Sequence, residues 1–109
     1  MSATTNQNEE ASPYAEHSAL TDLFGNHPKT KILAALLSES RDVNVSRIAE
    51  LAGVSRTTVY DHIDDLQQLG VVERTRKVGG SPLYQINKDS APAKKLAQLE
   101  WDLVEEYED

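Results

Sequence analysis

The sequence predicts an α+β fold, mainly α-helical, organised around one core. Two patterns carry this. Apolar residues recur at helical spacing from Leu20 to Leu66 and again from Leu96 to Leu103. Between these stretches lie two short β-type segments flanking a Gly-Gly pair. A chain of 109 residues suits a single domain with one modest core.

Taken in order, residues 1–16 are rich in Ser, Thr, Asn, Gln and Glu and predict a disordered acidic tail. A short helix follows, with Leu20, Leu23 and Phe24 on one face and Gly25-Asn26 ending it. Pro28 fits the first turn of the next helix, where its missing N–H costs nothing. Ile32, Leu33, Leu36 and Leu37 give that helix its apolar face, and it is expected to end near Ser40. Val43-Asn44-Val45 is too short for an independent strand but can pair at a sheet edge. Ser46 is the expected N-cap of a helix carrying Ile48, Leu51 and Ala52, which Gly53 ends. Val54 plugs the core, and Ser55 caps a helix running to about Leu69 with Val59, Ile63 and Leu66 inward. Gly70 stops it. Val71–Lys77 and Pro82–Asn87 read as strands around the tip Val78-Gly79-Gly80-Ser81. Ser90 caps a last helix from Ala91 to about Tyr107, with Pro92 in its first turn.

The net charge of −7 argues at first against a nucleic-acid partner. Its distribution removes the objection. Residues 1–28 hold four acids and no Lys or Arg, residues 29–88 hold nine Lys/Arg against seven acids, and residues 89–109 hold two against seven. The middle is mildly basic and the ends carry the acidity. Cysteine is absent, which excludes disulfides, thiolate metal sites and cysteine redox switching. No apolar run approaches the roughly 20 residues of a membrane span. The polar, acidic N-terminus does not read as a signal peptide. A cytoplasmic protein without membrane contact is expected.

The stretch VSRIAELAGVSRTTVYDHIDDLQQLGVVERTRKVGGSPLYQI, Val45 to Ile86, resembles the winged helix-turn-helix of ArsR/MarR-like regulators. The matching positions are Ile48-Ala49, Ala52-Gly53-Val54-Ser55, Thr58-Val59, Ile63, Leu66, Leu69-Gly70-Val71-Val72 and the Gly79-Gly80 tip. With its acidic ends and lack of cysteine, the whole chain is similar to small haloarchaeal transcription regulators, the reactive-oxygen-species regulator type among them. The resemblance implies a winged helix-turn-helix domain over residues 17–89, with a two-stranded wing and an added C-terminal dimerisation helix over residues 90–109. It also implies an archaeal, halophilic setting and sequence-specific binding of double-stranded DNA.

On such a scaffold the start of the second helix reads base edges in the major groove. With Val59 set toward the core, Thr57 and Asp61 point nearly opposite it, and Thr58 and Tyr60 flank them. Arg56 stands at the helix start behind Ser55, and both are among the expected DNA contacts. Arginine suits guanine or phosphate, threonine suits phosphate or a thymine methyl, and an aspartate can only accept, as from cytosine N4. Asp64 and Asp65 lie one turn further on and repel phosphates, so docking N-terminus first is expected. In the wing, Arg74, Arg76 and Lys77 stand beside Gly79, Gly80 and Ser81. Glycines admit close backbone approach, and arginine suits a narrow minor groove. Lys29, Thr30 and Lys31, and Ser46 with Arg47, sit at helix starts and suit phosphate.

His17, His27 and His62 lack metal-ligand spacing, and no phosphate loop or nucleophile elbow is present. No enzyme, cofactor or metal is expected, and nothing specifies a small-molecule effector. Leu96, Leu99, Leu103 and Tyr107 form a nearly heptad stripe, with Trp101 off it. These five residues are expected to form a homodimer interface; packing of the helix on its own core is the alternative. A winged-helix protein-interaction module without DNA binding uses the same scaffold, and the charge of −7 favours it. An architectural chromatin protein needs a stronger positive surface.

Overall fold

The computed structural model describes residues 18–108, and side chains as far as Glu106. The tail expected over residues 1–16, His17 and the side chain of Tyr107 lie outside the described residues. The elements run α1 (Ala19–Phe24), α2 (Pro28–Leu37), β1 (Val43–Asn44), α3 (Val45–Ala52), α4 (Arg56–Gln68), β2 (Val72–Val78), β3 (Ser81–Ile86) and α5 (Ala91–Glu108). The sheet is antiparallel, with β3 between β1 and β2. This is the mainly helical α+β architecture of a winged helix.

Each helix start has a side-chain acceptor suited to its orphan N–H groups. Ser18 Oγ accepts from Thr21 N at 3.2 Å, and the Thr21 hydroxyl donates back to Ser18 O at 2.9 Å. Pro28 opens α2, and His27 Nδ1 accepts from Lys29 N at 3.1 Å. The cap of α3 is Asn44, whose Oδ1 accepts from Arg47 N at 2.9 Å. This corrects the expectation that Ser46 caps it: the helix begins one residue earlier, because Val45 drops into the core at its first position. Asn44 thus ends β1 and caps α3 at once. Gly53 ends α3 in the left-handed region at φ 73°. Ser55 Oγ then accepts from Thr58 N at 3.1 Å to start α4. Ser55→Ala is expected to cost about 1 kcal/mol of unfolding free energy, readable from urea denaturation midpoints.

The core gathers Ile32, Leu36, Ile48, Val59, Ile63 and Leu66 from the three central helices with Val72, Tyr84 and Ile86 from the sheet. Val54 packs against it from the turn between α3 and α4. Ala93 of α5 is buried in the same cluster, and Leu96 packs on it. The first turns of α5 therefore belong to this chain's own core. In α1, Leu20 is buried but Leu23 and Phe24 are 51% and 58% exposed. The apolar face expected for this helix is thus mostly open.

The wing strands reach one residue further than expected at the tip, since Val78 pairs with Ser81. The turn is reduced to Gly79-Gly80, at φ 57° and 83°. Two successive positive φ values match the right-handed twist of a hairpin and suit glycine.

Candidate nucleic-acid interface

The start of α4 presents the expected residues outward. Arg56, Thr57, Tyr60 and Asp61 are exposed, and Val59 is fully buried behind them. Thr58 is half-buried, and its hydroxyl shares a 3.0 Å hydrogen bond with Ser55 Oγ. These two hydroxyls are thus occupied in holding the helix start. Asp64 and Asp65 are exposed on the following turns.

Three stretches far apart in sequence meet beside Arg56. A shallow cavity of about 90 Å³ is lined by Asn44, Val45 and Ser46 at the start of α3, Arg56 and Tyr60 of α4, and Ser81 and Pro82 at the wing. Ser46, Arg56, Tyr60 and Ser81 therefore occupy one continuous face. Tyr84, on β3, is buried. Burial pushes its phenol above the ordinary value, and nearby Arg74 pulls the other way. Arg74 is directly opposite Tyr84 in the strand register.

A second, open cleft of about 390 Å³ adjoins the first at Asn44 and holds Arg41, Arg47 and Arg76 with Glu39 and Asp42. Arg47 pairs with Glu50 at 3.0 Å and approaches Glu39 at 3.9 Å. Arg76 Nε donates to Asp42 Oδ2 at 3.0 Å. That contact and the Thr75 hydroxyl hold the Asp42 carboxyl below its ordinary value, and the pairing raises Arg76. The sign follows: the pair contributes stability above the unfolded carboxylate value of about 3.9 and loses it as pH falls through the lower folded value. A carboxyl-carbon NMR titration is expected to find Asp42 below free aspartate and to move upward in Arg76→Ala. Among the described residues Arg56, Arg74 and Lys77 form no ion pair.

The start of α2 is placed elsewhere. Lys29 Nζ stands 3.6 Å from Asp65, nine positions along α4 from Arg56 and therefore about 13 Å down its axis. The His27 and His62 rings meet edge-to-face there, with centroids 5.7 Å apart. Lys29 thus flanks the far end of α4, while Ser46, the α4 start and the wing tip line one cavity and Arg47 and Arg76 the cleft beside it. Among the described residues no group of three or more His, Cys, Asp or Glu is arranged to hold a metal ion.

Asp42, Arg41, Asn44 and Thr75 were not singled out by the sequence. Asn44 alone carried a local signal, a cap-forming residue next to another at Ser46. Asp42 reaches its partners across 33 and 34 residues, beyond any local pattern.

The family comparison matches residues 29–80 to the HTH domain. This segment is similar to that helix-turn-helix domain. It runs from the first turn of α2 to the wing tip and indicates a DNA-binding helix-turn-helix regulator. Comparison with curated proteins and with solved structures returned no match. Among the described residues no helix is long and apolar enough to cross a membrane.

Proposed function

We propose that this chain is a transcription regulator of the ArsR/MarR-like winged-helix type, binding promoter DNA sequence-selectively as a homodimer. The start of α4 enters the major groove, and the wing lies on the adjoining minor groove or backbone. The observation that carries this is the convergence of Ser46, Arg56, Tyr60 and Ser81 on one cavity. It joins a groove-sized helix start, a phosphate-suited helix start and the wing into one face. The exposed Asp64 and Asp65 favour an approach in which the later turns of α4 lead away from DNA. The test is binding to genomic DNA fragments across a salt series. Selective binding that weakens as salt rises is expected, through loss of counterion release; no selective binding at any salt overturns the proposal.

The dimer rests on α5 and α1, which contact one another. With Leu96 turned to the core and Leu99 and Leu103 half-buried, the open apolar residues are Trp101, Val104, Leu23 and Phe24. Such side chains are suited to a second copy related by two-fold symmetry. That symmetry puts two recognition helices over half-sites about one DNA turn apart. Light scattering is expected to give a dimer at micromolar concentration and a monomer for Trp101→Glu. A wild-type monomer contradicts this interface.

A further inference from the structure

The wing contains an irregularity with a chemical consequence. Arg74 pairs with Tyr84 and Lys77 with Pro82, so β2 uses three steps where β3 uses two. The extra residue falls at Thr75-Arg76. In a regular strand these neighbours project to opposite faces. A bulge breaks that alternation and re-aims side chains. Here both reach one carboxylate. The Thr75 hydroxyl donates to Asp42 Oδ2 at 2.5 Å, while Arg76 donates from Nε to Oδ2 at 3.0 Å and from Nη2 to Oδ1 at 3.3 Å. The side chain of Asp42 is only 11% exposed and that of Arg76 64%. The guanidinium thus keeps an open side toward the cleft it shares with Arg41 and Arg47. Arg41 is exposed and, among the described residues, forms no ion pair.

Building on the DNA-binding proposal, we infer that this cleft is a seat for one backbone phosphate, with Asp42 as the resting partner of Arg76. Carboxylate and phosphate satisfy the same guanidinium fork. In the free protein Asp42 neutralises Arg76 and keeps the wing beside the loop between α2 and β1. On the duplex a phosphodiester oxygen takes up Arg76, and Arg41 and Arg47 flank it. The carboxylates of Glu39 and Glu50 remain on Arg47, so Arg76 and Arg41 supply most of the net charge. Asp42 therefore limits affinity, and its removal strengthens binding through Arg76.

The experiment is a double-mutant cycle on a duplex that the wild type binds, with each variant's fold checked by thermal melting. Asn keeps an acceptor for Thr75 while removing the charge. Asp42→Asn is expected to bind about fivefold more tightly, the factor released by a surface ion pair near the upper end of its usual strength. Its logarithmic salt slope is expected to steepen by up to about 0.9, because in the wild type the carboxylate freed from Arg76 takes up a cation that offsets the one released by the phosphate. In the Arg76→Ala background the same change is expected to have no effect, and Arg41→Ala is expected to flatten the wild-type slope by about 0.9. Unchanged or weaker binding by a folded Asp42→Asn overturns the seat. A gain that persists without Arg76 also overturns it, because simple removal of negative charge then accounts for it. If the wild type binds no duplex at any salt, the DNA-binding proposal falls and the seat with it. Binding without coupling between Asp42 and Arg76 removes the seat alone.

Discussion

Ile63→Ala is expected to lower the unfolding free energy by roughly 2–5 kcal/mol, the range for truncating a buried Ile or Leu. Ile63 is 1% exposed in the cluster that joins α4 to α2, α3 and the sheet. The loss combines the transfer free energy of the removed methyl groups with the cavity left where close-packed neighbours cannot collapse. Against a total of about 5–15 kcal/mol for a typical domain, this is enough to leave a substantial fraction unfolded near physiological temperature. Leu69, at the end of the same helix, is 63% exposed. Leu69→Ala is expected to stay within about 0.5 kcal/mol of the wild type. Urea denaturation of the pair separates burial from hydrophobicity: equal midpoints in the two variants would contradict the core described above.

The second large effect is on binding. Arg56→Ala is expected to weaken binding to a selected duplex by about 5- to 150-fold and to relax preference at one base position, as expected for loss of a base-reading arginine. Lys77→Ala is expected to weaken all duplexes nearly equally and to flatten the salt slope by about 1, as for a phosphate contact. The distinction follows from position. Arg56 stands at the mouth of the cavity where α3, α4 and the wing meet, whereas Lys77 is on the exposed end of β2. Competition binding against a panel of single-base variants reads both. If Arg56→Ala retains the wild-type preference at every position, Arg56 reads no base.

Most of the architecture was legible because local chemistry and tertiary packing agree. Pro28 at the start of α2, Ser55 before α4 and Gly79-Gly80 at the tip each match the backbone the fold requires. So does the inward set Val59, Ile63 and Leu66, whose helical spacing is the spacing of burial. The α3 cap was misplaced because Asn44 and Ser46 are both cap-forming residues. What decides between them is the burial of Val45, a tertiary fact. Leu23 and Phe24 were expected to share one helix face with Leu20. They are exposed because α1 is only six residues long and buries Leu20 and Thr21.

The face at the start of α4 was legible residue by residue but not as an assembly. Its members lie in three segments, and only the antiparallel pairing of β1 and β2 on β3 brings Ser46 and Ser81 beside Arg56. Arg76 was legible as a wing cation, but its partnership with Asp42 was not. That contact depends on a bulge, which leaves no mark in the alternation of so short a strand. Lys29 stood out as a cation at a helix start. Its place beside Asp65 depends on how α2 packs along α4.

The central claim is that DNA meets the start of α4 and the wing. Amide chemical-shift mapping of the protein on titration with a selected duplex tests it most directly. The largest perturbations are expected in Arg56–Asp61, at Ser46 and in Arg74–Ser81, with the exposed residues of α5 little changed. Perturbations confined to α1 and α5, with the α4 start and wing silent, would contradict it.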